Sequence, residues 1–259
     1  MFSFIYNDLE IAHKLDIPPL PSDDCGKYHN FYEIYYFISG KVQLTIEEEK
    51  HIMKFGDAAL IQPGKHHFLT LLDDSPYERY ILRFPDELMP DFLKGFFSQR
   101  SAFFPSAPKV YELFEKLDVF YREFNYLELE VLFSNIIKEI LIRLSHSKYK
   151  QKTSPSGQDL AIAQIIQYID QNLSKNITVD ELCQKFHFSQ SNLYKEFQAY
   201  MRAPIMKYIR AKKIIAAHRL IKRGEKPAKA AEMFGFTEYS TFYRAFVDVM
   251  GYPPSKVKK

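Results

Sequence analysis

From residue 29 to residue 84, apolar runs are short and turn residues break them up. Phe31–Ile38 ends at Ser39-Gly40, and Lys41–Ile46 alternates with a period of two. Ala58–Ile61 lies between Gly56-Asp57 and Pro63-Gly64, and Tyr80–Phe84 follows another polar turn. β-Branched and aromatic residues in this pattern predict an all-β sandwich or barrel. Beyond it the period lengthens. Val110, Leu113, Phe114 and Leu117, then Leu129, Leu132, Phe133, Ile136, Ile137, Ile140 and Leu141, recur three and four apart, which is the spacing of a helix face. Two helices broken near Asn125 are predicted. The second has an apolar face broad enough to cover both the barrel and a second subunit.

Ser147–Gly157 is polar, ends in Ser-Pro-Ser-Gly, and reads as a linker. A helix over 159–173 is predicted next, with Ile162, Ile165, Ile166 and Ile169 on one face. The chain then repeats itself. Thr178–Phe197 and Pro227–Phe246 each hold a short apolar helix, an aromatic turn, a small polar cap and a second helix ending in Phe, about 49 residues apart. Thr178 followed by Glu181 has capping-box spacing, and Ser189 is placed to cap the next helix. A long helix from about Pro204 to Lys222 joins the repeats, with Pro suited to its first position.

Each repeat is a helix-turn-helix pattern, a device that sets a second helix into the DNA major groove. A single such pattern is weak evidence, because an ordinary exposed helix face looks the same. In the first repeat Leu193 and Phe197 point inward and Gln190, Ser191, Tyr194, Lys195 and Gln198 outward. In the second, Phe242 and Phe246 are anchors. Glu238 stands at the helix start, and Tyr239, Ser240, Tyr243 and Arg244 face out as base or phosphate contacts.

Charge sharpens this picture. Residues 1–150 carry 17 Lys/Arg against 23 Asp/Glu, while residues 151–259 carry 18 against 9. Net charges of −6 and +9 suggest that only the second half meets a polyanion, with a solvated basic face as the bland alternative. Cys25 and Cys183 fall in different halves, so a disulfide framework is not expected and a reducing compartment fits. The amino terminus lacks a basic stretch followed by a sustained apolar one, and no run is long enough to cross a bilayer. A cytoplasmic protein without membrane contact is expected.

Gly235-Phe-Thr-Glu-Tyr-Ser-Thr-Phe-Tyr-Arg-Ala-Phe246, followed by Gly251-Tyr-Pro-Pro-Ser255, resembles the signature of the AraC/XylS family of bacterial transcription regulators. The resemblance covers about 100 residues. It implies two recognition helices in successive major-groove segments, with Ser191, Tyr194, Lys195, Tyr239, Ser240 and Arg244 toward the bases. It also implies double-stranded operator DNA, RNA polymerase and a second copy of the chain as partners. Three positions depart from the family pattern: Ala230-Ala231 replaces Ile-Ala, Val247 replaces a Lys, and Lys213 replaces an Arg, losing a planar fork of donors.

Residues 28–84 resemble the cupin-like effector domain of the same family, through Phe31–Gly40 and Gly56–Gly64. His29, Glu33 and His67 match three of four cupin metal-ligand positions, and two His with a carboxylate suit iron or zinc. The fourth position is Lys27, whose charge repels a cation, so no metal or other cofactor is expected. A small-molecule pocket in the barrel fits better, with His29, Tyr32, Glu33, Tyr35, Tyr36 and His67 as effector-binding candidates and a sugar among the ligands considered. Period-two alternation lets at most half of Phe31–Phe37 line one cavity.

The expected architecture is thus a cupin-like barrel over 1–107, a helical hairpin for dimerisation over 108–146, a linker over 147–157 and an all-α tandem helix-turn-helix domain over 158–259. The expected function is effector-controlled transcription regulation without enzymatic activity. A ligand-independent regulator and a metal-binding cupin enzyme are the alternatives, and an RNA-binding or scaffolding protein is the remaining class.

Overall fold

Alternating apolar and polar side chains build two antiparallel sheets in the first part of the chain. The structure, a computed structural model, describes residues 1–18, 28–107, 110–149 and 158–257. The strands are β1 (Phe2–Tyr6), β2 (Leu9–Asp16), β3 (Tyr32–Ser39), β4 (Val42–Ile46), β5 (Glu49–Ile52), β6 (Ala58–Ile61), β7 (His67–Leu71), β8 (Tyr77–Phe84) and β9 (Phe103–Phe104). One sheet runs β1-β2-β8-β3-β6-β9, the other β5-β4-β7. β1 and β2 lie outside the region whose alternation predicted strands. They form a hairpin around Asn7-Asp8, where Asn7 takes the left-handed conformation that tight hairpin turns need.

The larger sheet has two buried faces. Tyr35, Phe37, Ala59, Ile61, Tyr77 and Ile81 pack with Val42, Leu44 and Ile46 of the smaller sheet, forming the barrel interior. Tyr32, Ile34, Tyr36, Tyr80, Leu82 and Phe84 point the other way, onto helices. The two-residue period makes this division: β3 pairs with β8 as Ile34↔Leu82 and Tyr35↔Ile81, so like-facing residues stay aligned.

The helices on that outer face are α1 (Asp91–Ser98), α2 (Tyr111–Glu123) and α3 (Tyr126–Ser145). The break near Asn125 is a capping box: the Asn125 side chain accepts from the backbone of Leu127 and Glu128, and Glu128 accepts from the Asn125 amide. Leu113, Phe114, Leu117, Phe133, Ile137, Ile140 and Leu141 are wholly buried against the sheet.

The basic part is helical: α4 (Gln158–Gln171), α5 (Val179–Phe186), α6 (Gln190–Met201), α7 (Ile205–Lys222), α8 (Pro227–Met233) and α9 (Tyr239–Met250). α4, α5, α6 and the first turns of α7 enclose one core around Ile165, Leu182, Leu193 and Phe197. The rest of α7 with α8 and α9 encloses another around Ile214, Ala230, Phe242 and Phe246. By contacts the chain divides into Met1–Asp23 with Phe31–Thr153, and Asp24–Asn30 with Ser154–Lys259. The short segment ending at Asn30 therefore belongs with the helices, a grouping the sequence pattern did not suggest. Most of the polar stretch read as a linker, from residue 150 to residue 157, lies outside the described residues.

Candidate nucleic-acid interface

Helix ends fix where each reading helix begins. Thr178 caps α5 by accepting from the Glu181 amide. The Glu181 carboxylate accepts from the Tyr168 hydroxyl, which ties α5 to α4. His187 then takes a left-handed conformation at the turn, φ 58°, and Ser189 caps α6 by accepting from Asn192 N at 3.3 Å. In the second unit the turn residue is Gly235, φ 75°. α9 starts one residue after Glu238, which carries no capping bond of its own.

Anchors and outward residues separate cleanly on both second helices. Leu193, Phe197, Phe242 and Phe246 have no exposed surface. Gln190, Ser191, Tyr194, Lys195 and Gln198 on α6 are exposed, as are Glu238, Tyr239, Ser240, Tyr243 and Arg244 on and before α9. Tyr194, Tyr239 and Tyr243 each leave over two-fifths of their surface in solvent. Gln190 donates to Asp180 on α5 at 2.5 Å, so its amide is oriented by the preceding helix.

The three departures from the family pattern have visible consequences. Ala230 and Ala231 are buried, so the second core closes with small residues there. Val247 is only partly buried. Lys213 is buried within α7, donates from Nζ to the Lys175 carbonyl at 2.8 Å, and lies 3.4 Å from where a Cβ at Gly235 would sit. Its ammonium thus joins the α4–α5 connection of one unit to the turn of the other. Burial lowers its pKa from the ordinary lysine value.

In the barrel, the sequence-predicted effector residues divide. Glu33 and Tyr35 lie on the inner row of β3. Tyr32 and Tyr36 lie on the outer row: Tyr36 stacks on Phe114 at 4.3 Å and Tyr32 on Phe84 at 5.5 Å, which removes both from the interior. His67 is buried opposite Ile46, and His29 is buried in the segment that groups with the helical unit. Lys27 lies outside the described residues. Glu33 is engaged: Arg83 donates to it from Nε at 2.7 Å and to Glu10 from Nη1 at 2.9 Å. Alternation along β8 also brings in residues the sequence reading passed over. Tyr77, Arg79, Ile81 and Arg83 share the inner row, a spacing that was available as a signal.

Residues 27–167 match the family model of the AraC-like ligand binding domain, and residues 182–259 match a helix-turn-helix domain model. The first match alone spans more than half of the chain.

The chain belongs to the AraC family.

It is an AraC-type DNA-binding transcription regulator with an amino-terminal ligand-binding domain. A probable transcriptional regulator of Photobacterium leiognathi, LumQ, is 24% identical over 232 residues, covering 88% of this chain and 90% of that protein. An HTH-type regulator of Bacillus subtilis, YbfI, is 20% identical over 225 residues, covering 82% and 79%. The structure of ToxT from Vibrio cholerae aligns over 96% of this chain and 97% of its own, with 16% identity and a TM-score of 0.40. Among the described residues of this AraC-family chain, no helix is long and apolar enough to cross a membrane.

Proposed function

We propose that α6 and α9 are the reading helices of a sequence-specific operator-binding protein. Gln190, Ser191, Tyr194, Lys195, Gln198, Glu238, Tyr239, Ser240, Tyr243 and Arg244 form its DNA surface. The observation that carries this reading is the division just described: on each helix the aromatic anchors are wholly buried while every one of these side chains is exposed. Arg and Lys donate to guanine or phosphate, whereas the carboxylate of Glu238 accepts only, so a cytosine amino group suits it and a phosphate does not. The first unit binds a small-molecule effector and forms a homodimer through the exposed stripe of α3. The effector shifts the population between DNA-binding arrangements of that dimer.

Selection of binding sites from random duplexes by the full chain tests this directly. A recovered consensus extending over two successive major-groove segments is expected. Equal retention of all duplexes, or equal affinity for RNA of the same sequences, would sink the proposal.

A further inference from the structure

The barrel interior contains strong donors that find no acceptor. Among the described residues, the Tyr35 hydroxyl and the Nε and Nη1 atoms of Arg79 are buried without a hydrogen-bond partner. Tyr35 is 4% exposed and Arg79 6%. Leaving such groups unmatched is costly, because their hydration has been removed and nothing replaces it. A few such groups concentrated in one place therefore call for an explanation.

Strand register places them together. Tyr35 on β3 faces Ile81 on β8, and Arg79 is two residues from Ile81 on the same inner row. The two side chains are thus diagonal neighbours on adjacent strands, within reach of one small molecule. Arg79 is itself held in place. Its Nη2 pairs with Asp16 at 2.5 Å, and its guanidinium lies 4.2 Å from the Tyr77 ring centroid. Burial pushes the Tyr35 hydroxyl well above its ordinary pKa, so it stays protonated and able to donate. The facing wall is apolar over Val42, Leu44, Ile46, Leu69 and Leu71, with the buried His67 ending the β7 row beside Glu33.

Charge decides what fits. The inner row of β2, β3 and β8 carries Lys14, Arg79 and Arg83 against Glu10, Asp16 and Glu33, which cancel. An added carboxylate would leave a net negative charge beside the buried Tyr35 and Arg79, whereas an uncharged molecule would supply acceptors at no such cost.

We propose that Arg79 and Tyr35 are the polar recognition pair of the effector site, taking an uncharged small molecule that turns carbonyl or hydroxyl oxygens to the β3–β8 wall and an apolar edge to the β4–β7 wall. This rests on the reading of the first unit as an effector-binding domain.

The test is thermal unfolding of the full chain and of Tyr35→Phe, Arg79→Met and Lys207→Ala, alone and with millimolar neutral hexoses, polyols and sugar lactones. The matched sugar acids serve as charged probes. Tyr35→Phe without ligand should melt at the wild-type temperature or above it, since its hydroxyl makes no bond to lose. At least one uncharged probe should raise the wild-type midpoint, and the rise should fall at least fivefold in both barrel variants. A lowered ligand-free midpoint in Tyr35→Phe shows a structural hydroxyl and overturns the proposal, as does a response to the sugar acids alone. A rise kept in the barrel variants but lost in Lys207→Ala places the molecule instead in the cleft of about 470 Å³ between Tyr28, Lys207, Arg210 and Val249. That result, or a rise kept in all three variants, overturns the assignment and leaves the effector reading standing. No rise with any probe removes both.

Discussion

The ammonium of Lys213 donates to the backbone carbonyl of Lys175 across 2.8 Å, and the turn glycine Gly235 lies on its other side. One side chain of the connecting helix thereby fixes parts of both reading units. Lys213→Met keeps the length and apolar stem but removes one of the carbonyl's two donors, the Ile177 amide at 3.1 Å being the other, at a cost of about 1 kcal/mol. Its folded pKa is lowered, so between that value and 10.5 the unfolded chain binds more protons and stability rises with pH. Urea unfolding at pH 8 and pH 10 should show wild type gaining relative to Lys213→Met as pH increases. An identical pH slope for the two proteins would contradict the burial of this charge.

Arg244 and Lys195 are exposed on different helices, so replacing either with alanine should leave the unfolding free energy within about 0.5 kcal/mol of wild type. Their effects on DNA should differ. If Arg244 reads a base, Arg244→Ala relaxes preference at one operator position by about 1–3 kcal/mol. If Lys195 meets phosphate, Lys195→Ala weakens all duplexes alike and lowers the salt slope by about one. Fluorescence anisotropy against single-base operator variants at several salt concentrations checks both.

His218 is held neutral. Burial, helped by the nearby charges of Lys222 and Arg219, lowers its pKa to about 4. Tyr252, 2.9 Å from its Nε2, is in turn the acceptor for the Asn30 amide at 2.7 Å. A folded value below the unfolded one means that stability is complete above pH 6.5 and lost as pH falls toward 4. The ceiling is about 3 kcal/mol. Denaturant titrations at pH 7 and pH 4.5 should show a smaller acid loss in His218→Phe than in wild type.

Gly40 sits at φ 111°, and a Cβ there would approach the Cβ of Tyr77 to 2.4 Å and its Cα to 2.8 Å. The close atoms are backbone or attached to it, so they cannot swing aside. Gly40→Ala should therefore cost about 3 kcal/mol or more, combining strain and overpacking. Gly224→Ala, also at positive φ but with open space around it, should cost about 1 kcal/mol. Comparable losses in the two variants would show that backbone strain, and not contact with Tyr77, dominates.

Leu127, Val131 and Ile142 of α3 are 65%, 60% and 45% exposed, spaced four and eleven residues apart on one stripe. A second copy covering this stripe would bury them. The triple change to Asp should convert a dimer to a monomer in sedimentation equilibrium while leaving the melting of each unit intact. A wild-type chain that sediments as a monomer at all concentrations would remove the dimer from the proposed mechanism.

The amino-acid order alone determined much of the helical half. The anchors Leu193, Phe197, Phe242 and Phe246, the caps Thr178 and Ser189, and the outward residues between them follow from a 3.6-residue period and local capping chemistry, which act within one turn of chain. The barrel was legible only as alternation. Alternation separates Tyr32 and Tyr36 from Glu33 and Tyr35 but does not say which set faces inward, because both faces of this sheet are buried. Pairing with β8 and packing against α2 and α3 made that choice, and they brought Arg79 beside Tyr35. The same holds for Lys213, visible in sequence as an exchange for arginine and given its role only by the Lys175 carbonyl 38 residues away. Local periods are written in neighbouring residues. Which buried donor meets which acceptor depends on contacts between distant ones, and only the folded chain supplies those.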